Sequence, residues 1–408
     1  MNPPAPCAAP TPNHPPFWPL VLVAAAILMV TMGARQSMGL FVAPIQSSTG
    51  LTLVSISFAL AVGQFVWGAA QPICGLMADR WGPTPVLVGG GLLLAGGTAL
   101  TPFAQSEWAM TMTLGVLMAA GAGAGSFSIL IGATAHRLAP ERRAFAAGFI
   151  NAGGSFGQFV FAPLNQALIS ALGWMQALWS LALISLATLP LAFKLGGKRP
   201  PAPAPLEQGL GAQLRQAFAD RSYWCLHLGF FTCGFHIAFL VTHLPGEVGL
   251  CGLPAGVAAT SLAVIGISNI AGSLAAGAAG SRWRMKYILF WMYATRAMAI
   301  GIYLAAPKTT LTFYLFAAVL GMTWLATVPP TAGLVGKLFG TRYLATLFGM
   351  TLLSHQIGGF LGAWLGGLAF ASFNSYEAMW WADMALAAAA ALVNLPIREA
   401  RLAPRLTT

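Results

Sequence analysis

Runs of about twenty mostly apolar residues follow one another along almost the whole of this sequence, separated by short polar breaks. This recurrence constrains the fold more than any other feature. A helix needs about 20 apolar residues to cross the hydrocarbon core of a bilayer. Lipid offers no partner for backbone N–H and C=O groups, and the α-helix satisfies them internally. Twelve runs are found, at 17–45, 53–77, 84–104, 108–136, 144–170, 174–193, 223–247, 254–280, 286–306, 309–337, 343–371 and 378–396. Of the 408 residues 57% are hydrophobic and 7% charged, whereas a soluble domain carries roughly a quarter charged residues. The expected fold class is an all-α membrane protein of twelve transmembrane helices.

The Pro-rich stretch Gly197-Lys198-Arg199-Pro200-Pro201-Ala202-Pro203-Ala204-Pro205 lies in the longest polar segment. It divides the chain into a six-helix bundle at 17–193, a linker at 194–221 and a second bundle at 222–396. Residues 1–16 lack the basic start and short apolar core of a cleaved signal and read as a disordered tail. Residues 397–408 read as a second tail. The net charge of +11 comes from basic residues scattered singly and in pairs, without the stripe that binds nucleic acid. With both termini in the cytoplasm, the cytoplasmic segments hold Arg80, Arg137, Arg142, Arg143, Lys194, Lys198, Arg199, Arg215, Arg221, Arg282, Arg284, Lys286, Lys337, Arg342, Arg398, Arg401 and Arg405. Of the other basic residues, Lys308 falls outside and Arg35 and Arg296 within the membrane. That asymmetry follows the positive-inside rule and orients the chain in a bacterial inner membrane.

The two halves repeat at an offset near 201 residues. Thr31-Met32-Gly33-Ala34-Arg35 is echoed by Thr232-Cys233-Gly234-Phe235-His236, Gly132 and His136 by Gly333 and Lys337, and Gly148 by Gly349. Gly75, Asp79, Arg80 and Trp81 match Gly277, Ser281, Arg282 and Trp283 one residue further on. Two related six-helix halves around a midplane site are a common plan of secondary transporters.

The loop Gly75-Leu76-Met77-Ala78-Asp79-Arg80-Trp81-Gly82-Pro83, between spans two and three, resembles the signature loop of the major facilitator superfamily. The resemblance implies two pseudo-symmetric halves that alternate access, with Gly75, Asp79, Arg80 and Gly82 gating at the cytoplasmic face. Pro83 and Pro85 stand where the family usually carries basic residues. The stretch Arg142-Arg143-Ala144-Phe145-Ala146-Ala147-Gly148, Ala152-Gly153-Gly154, Ala162-Pro163-Leu164-Asn165-Gln166 and Gly173-Trp174 is similar to the monocarboxylate transporter and oxalate–formate exchanger branch. That branch usually carries an arginine on span eight, where this chain has Ser268-Asn269.

Charges inside a membrane are costly and mark functional positions. Arg35 lies about 27 Å along span one, and its planar fork matches a carboxylate. His236 occupies the repeat-equivalent position on span seven, and both are expected to face the central axis. His355 on span eleven is a second imidazole suited to substrate or protons. Asn151, Asn269 and Trp324 complete the expected substrate site. His236, His355 and Asp383 are the proton-coupling candidates, although an ion pair between Arg296 and Asp383 is the expected structural use of that acid. Glycines 121, 123, 125, 153, 154 and 157 would permit movement. Cys7, Cys74, Cys225, Cys233 and Cys251 form no CxxC pair, and the sequence has neither a Walker loop nor an HExxH cluster, so no metal, cofactor or enzymatic activity is expected. These features point to proton-coupled transport of a small organic anion, a monocarboxylate above all, by a monomer. Efflux of hydrophobic drugs is the alternative, with Asp383 and Glu247 as its acids; a membrane transferase lacks its cluster of ligands.

Overall fold

The computed structural model describes residues 17–135, 137–138, 140–196, 210–280, 282–340 and 344–399. Among these residues twelve long helical segments follow in order: Phe17–Thr49, Leu53–Trp81, Pro83–Phe103, Glu107–Thr134, Pro140–Leu172, Trp174–Lys194, Arg221–Leu250, Ala255–Gly280, Met285–Ala305, Thr310–Phe339, Leu344–Phe373 and Glu377–Asn394. They are numbered here as spans one to twelve. Ten qualify as membrane crossings by length and hydropathy. Span five is diluted by Gln158 and Asn165 and span twelve by Asp383, all three side chains being buried against protein rather than lipid. The expected tail 1–16, most of the linker and residues 400–408 lie outside the described residues. Within the linker the short helix Leu210–Ala219 lies mostly exposed and leads into span seven.

Local chemistry sets the span ends. Thr52, Ser106, Asp220 and Thr309 each accept a backbone N–H from the first turn of the following helix, the usual N-cap arrangement. Between spans two and three Gly82 adopts φ +88°, a conformation that disfavours any residue with a Cβ. Pro83 then begins span three, where its missing N–H costs nothing.

Spans four and ten are each interrupted, at Gly125–Ser126 and at Trp324–Thr327, so the repeat extends to the irregularities. Freed backbone groups inside a membrane must find side-chain partners. In the first half Thr31 Oγ1 donates to the Gly125 carbonyl at 3.0 Å. In the second, Arg296 Nη2 donates to the carbonyls of Thr323 at 2.6 Å and Trp324 at 3.3 Å. Asn269 Oδ1 accepts from Leu325 N at 2.9 Å.

Span two packs on span eleven, span five on span eight, and the end of span one on span seven. The face carrying Arg80, Arg137, Arg142, Lys194, Arg282, Arg284 and Lys337 is called the basic face; an even number of crossings brings Phe17 and Glu399 out on that same side. The expected tail at 397–408 begins as packed structure instead. Ile397 is fully buried, and Glu399 accepts from Met285 N, Lys286 N (both 3.1 Å) and Lys337 Nζ (2.6 Å). Burial alone would raise the Glu399 carboxyl pKa, but these donors hold it below the usual range.

Candidate functional site

Arg35 is held by side chains of its own half, close to the interface between the halves. Its Nη2 donates to Gln64 Oε1 on span two, and its guanidinium carbon stands 4.3 Å from the centre of the Trp67 ring. Gln64 and Trp67 are three residues apart and share one face of the helix. Among the described residues Arg35 has no carboxylate partner. Hydrogen bonding and the ring face, the latter worth about 2 kcal/mol when desolvated, are what hold this cation within the membrane. Across the interface Gly359 on span eleven lies 3.5 Å from the Gln64 side chain for a Cβ built on it, and a Cβ on Gly68 would overlap Gln356. His355 is buried, contacts Gln356 Nε2 through Nδ1 at 3.2 Å, and lies within electrostatic range of Arg35. Both halves therefore present polar groups to this region.

Arg35, Gln64, Met38 and Gly39 from the first half and Val241 and Thr242 from the second line a cavity of about 30 Å³, room for roughly two waters. A vestibule of about 620 Å³ opens from the face opposite the basic one, and Gly39 and Thr242 line it too. The contact between them is thus the floor of the vestibule and the roof of the Arg35 cavity. At this floor a Cβ on Gly39 would overlap the Val241 carbonyl oxygen. The absence of a side chain lets the two backbones close.

A second cluster lies wholly within the second half. His236 Nδ1 contacts Asp383 Oδ2, and both side chains are fully buried. The His236 ring stands 5.8 Å from that of Trp324, and Arg296 is bound to the interrupted turn beside it. Among the described residues His236 Nε2, Asp383 Oδ1, Arg296 Nε and Nη1 and Trp324 Nε1 have no hydrogen-bond partner.

The family model of the Major Facilitator Superfamily matches residues 21–363. The chain belongs to that superfamily. Monocarboxylate transporter 13 of Rattus norvegicus is 27% identical over 391 residues, covering 93% of this chain and 89% of its own. The oxalate:formate antiporter of Oxalobacter formigenes is 24% identical over 373 residues, covering 88% and 86%. Among solved structures the D-xylose–proton symporter superposes with a TM-score of 0.75 at 13% identity, covering 93% of this chain and 97% of that one. A bacterial homologue of the human lysosomal transporter Spinster, inward-facing and unoccupied, gives 0.70 at 16%, covering 95% of each. At such identities these two likenesses establish the fold. The protein is a multi-pass membrane transporter, not an enzyme.

Within this major facilitator transporter the expected site residues part company. Arg35 and His355 flank the interface between the halves. His236 does not join them: it turns into the second half, because Asp383 on span twelve supplies a buried partner there. For the same reason the expected Arg296–Asp383 ion pair is absent, and Arg296 instead satisfies carbonyls freed by the break in span ten. Trp324 is fully buried at that break. Asn269 joins the halves, its Nδ2 donating to Ser155 Oγ on span five at 2.7 Å. Asn151 is half-buried further toward the basic face on span five. In the signature loop Arg80 is exposed and stacks over Trp81 at 5.9 Å; the Asp79 side chain lies outside the described residues. Gly153 and Gly157 press span five against the backbone of span one at Ala25 and Met29, so they serve close packing. Sequence reasoning missed Gln64 and Trp67, although a glutamine in the apolar run Val62-Gly63-Gln64-Phe65-Val66-Trp67 was a visible signal. It also missed Gly39.

Proposed function

We propose that this transporter carries a small organic anion, a monocarboxylate above all, by alternating access coupled to protons. Arg35 carries the reading. It is a cation beside the interface of the halves, without an acidic partner among the described residues, next to a small cavity that Gly39 and Thr242 separate from the vestibule. A carboxylate would complete the guanidinium fork in a geometry lysine cannot match, with Gln64 and Trp67 orienting the cation and His355 and Gln356 approaching from the other half. The relatives named as monocarboxylate transporters and as an oxalate:formate antiporter support the same substrate class. The cavity is too small for such an anion with the halves as they stand, so binding requires them to part, consistent with rocking about a midplane site.

His236 and Asp383 are the favoured proton carriers, since their side chains are in direct buried contact and an imidazole and a carboxylate can pass a proton between them. His355 is the candidate nearest the anion. The signature loop, Arg80 included, gates the basic face. Concentration of Lys and Arg on that face supports a bacterial inner-membrane orientation with cytoplasmic termini, and a monomer is the proposed working unit. The test is uptake of labelled lactate and pyruvate into proteoliposomes with and without an inward proton gradient. Gradient-stimulated uptake that His236→Ala weakens more than it weakens exchange is expected. Uptake of neither acid, with or without the gradient, would overturn the reading.

A further inference from the structure

Spans eight and nine are consecutive in the chain but splay apart, and the wedge between them opens on the outer surface of the bundle as a groove of about 750 Å³. We propose that this groove holds one acyl chain of an anionic phospholipid drawn from the leaflet on the basic face. Ala275, Ala276 and Ala279 form one side, small residues at helical spacing that leave a smooth channel. Tyr287 and Trp291 form the other, and Met322 and Thr323 of span ten close the back.

Depth argues for a lipid. The groove runs along span nine from Arg284 to Thr295, eleven residues or about 16 Å. Half the hydrocarbon core of a bilayer is about 15 Å, so the groove spans one leaflet and ends near the midplane. An aromatic residue marks the mouth: Trp283, beside Arg284, is 70% exposed, an amphipathic side chain of the kind enriched where headgroups meet tails.

Charge argues for an anionic headgroup. Arg284 lines the mouth, Arg282 stands two residues away, and both are exposed. Neither is paired with an acid among the described residues. The nearby acid Glu399 is already engaged with Lys337 and the first turn of span nine. Each basic residue close to a headgroup favours an anionic over a zwitterionic lipid by roughly fivefold.

The experiment is native mass spectrometry of the full-length protein released from detergent after incubation with equal amounts of phosphatidylglycerol and phosphatidylcholine of identical acyl chains. Wild-type protein is expected to retain phosphatidylglycerol, with a preference of up to roughly 30-fold if both guanidiniums act. Arg284→Ala should lower that preference about fivefold while lipid of either kind is still retained. Ala275→Phe fills the groove from an exposed position and should remove one bound lipid; Leu274→Phe, a neighbouring exposed apolar residue outside the groove, should not. Equal retention of both lipids by the wild type would overturn the proposal, as would identical lipid counts for Ala275→Phe and wild type.

Discussion

Replacing Gly39 with alanine should unseal the floor of the vestibule. The added Cβ would overlap the Val241 carbonyl oxygen and lie 3.1 Å from both the Val241 carbonyl carbon and the Thr242 oxygen. All three are backbone atoms, so no rotamer change relieves the clash, and spans one and seven must separate. Overpacking of this kind costs about 1–3 kcal/mol. The clash exists only where the halves are closed at this face, so the cost falls on that state and not on one in which they have parted. A differential of that size shifts the population toward opening by roughly 5–150-fold. Met38, buried below the contact where it lines the Arg35 cavity, supplies the reporter. With the five native cysteines replaced, the labelling rate of Met38→Cys by a membrane-impermeant maleimide measures opening. Labelling should accelerate in Gly39→Ala by a factor in that range. An unchanged or slower rate in a folded protein would refute the claim that this contact is a gate.

Three further outcomes follow from named contacts. Asp383→Leu strands His236 and leaves Arg296 without the nearby negative charge; removing one partner of a buried pair costs about 3–5 kcal/mol. Thermal unfolding should show that loss, and the double variant His236→Leu/Asp383→Leu should recover only the part due to His236, since Arg296 still lacks that charge. Gln64→Leu deprives Arg35 of its hydrogen bond, worth about 1.5–3 kcal/mol to a charged group, and should lower the apparent affinity for monocarboxylates in uptake assays before it lowers the thermal midpoint. Glu399 has a folded-state pKa below its ordinary value, so its stabilisation is complete above about pH 4.3 and is lost as the pH falls through the lowered value. Glu399→Gln should therefore reduce the acid-side loss of thermal stability while lowering the midpoint at neutral pH.

Hydropathy and charge were enough to read the spans, because lipid forces long apolar helices and leaves basic residues in loops. The repeat was legible through glycines and through Arg35 and His236, but its functional meaning was not. Equivalent positions on spans one and seven carry side chains that found different partners: Gln64 across to span two, Asp383 across to span twelve. A 147-residue separation such as His236–Asp383 leaves no trace in local pattern. Arg296 illustrates the same limit. A buried cation in sequence invites pairing with the nearest intramembrane acid, whereas the break in span ten offered it carbonyl groups. That break was foreshadowed by Pro329-Pro330, as the one in span four was by Gly121, Gly123 and Gly125. Gly39 lay hidden because a glycine among 47 becomes informative only when its neighbour across the interface is known.

The central claim is that Arg35 binds the carboxylate of the transported acid. Counterflow measures it most directly: proteoliposomes loaded with unlabelled lactate, exchanging for labelled lactate outside with no proton gradient. The wild type should accumulate label transiently, Arg35→Lys should do so with much weakened apparent affinity, and Arg35→Ala should not accumulate it. Counterflow of equal rate and affinity in Arg35→Ala would contradict the account.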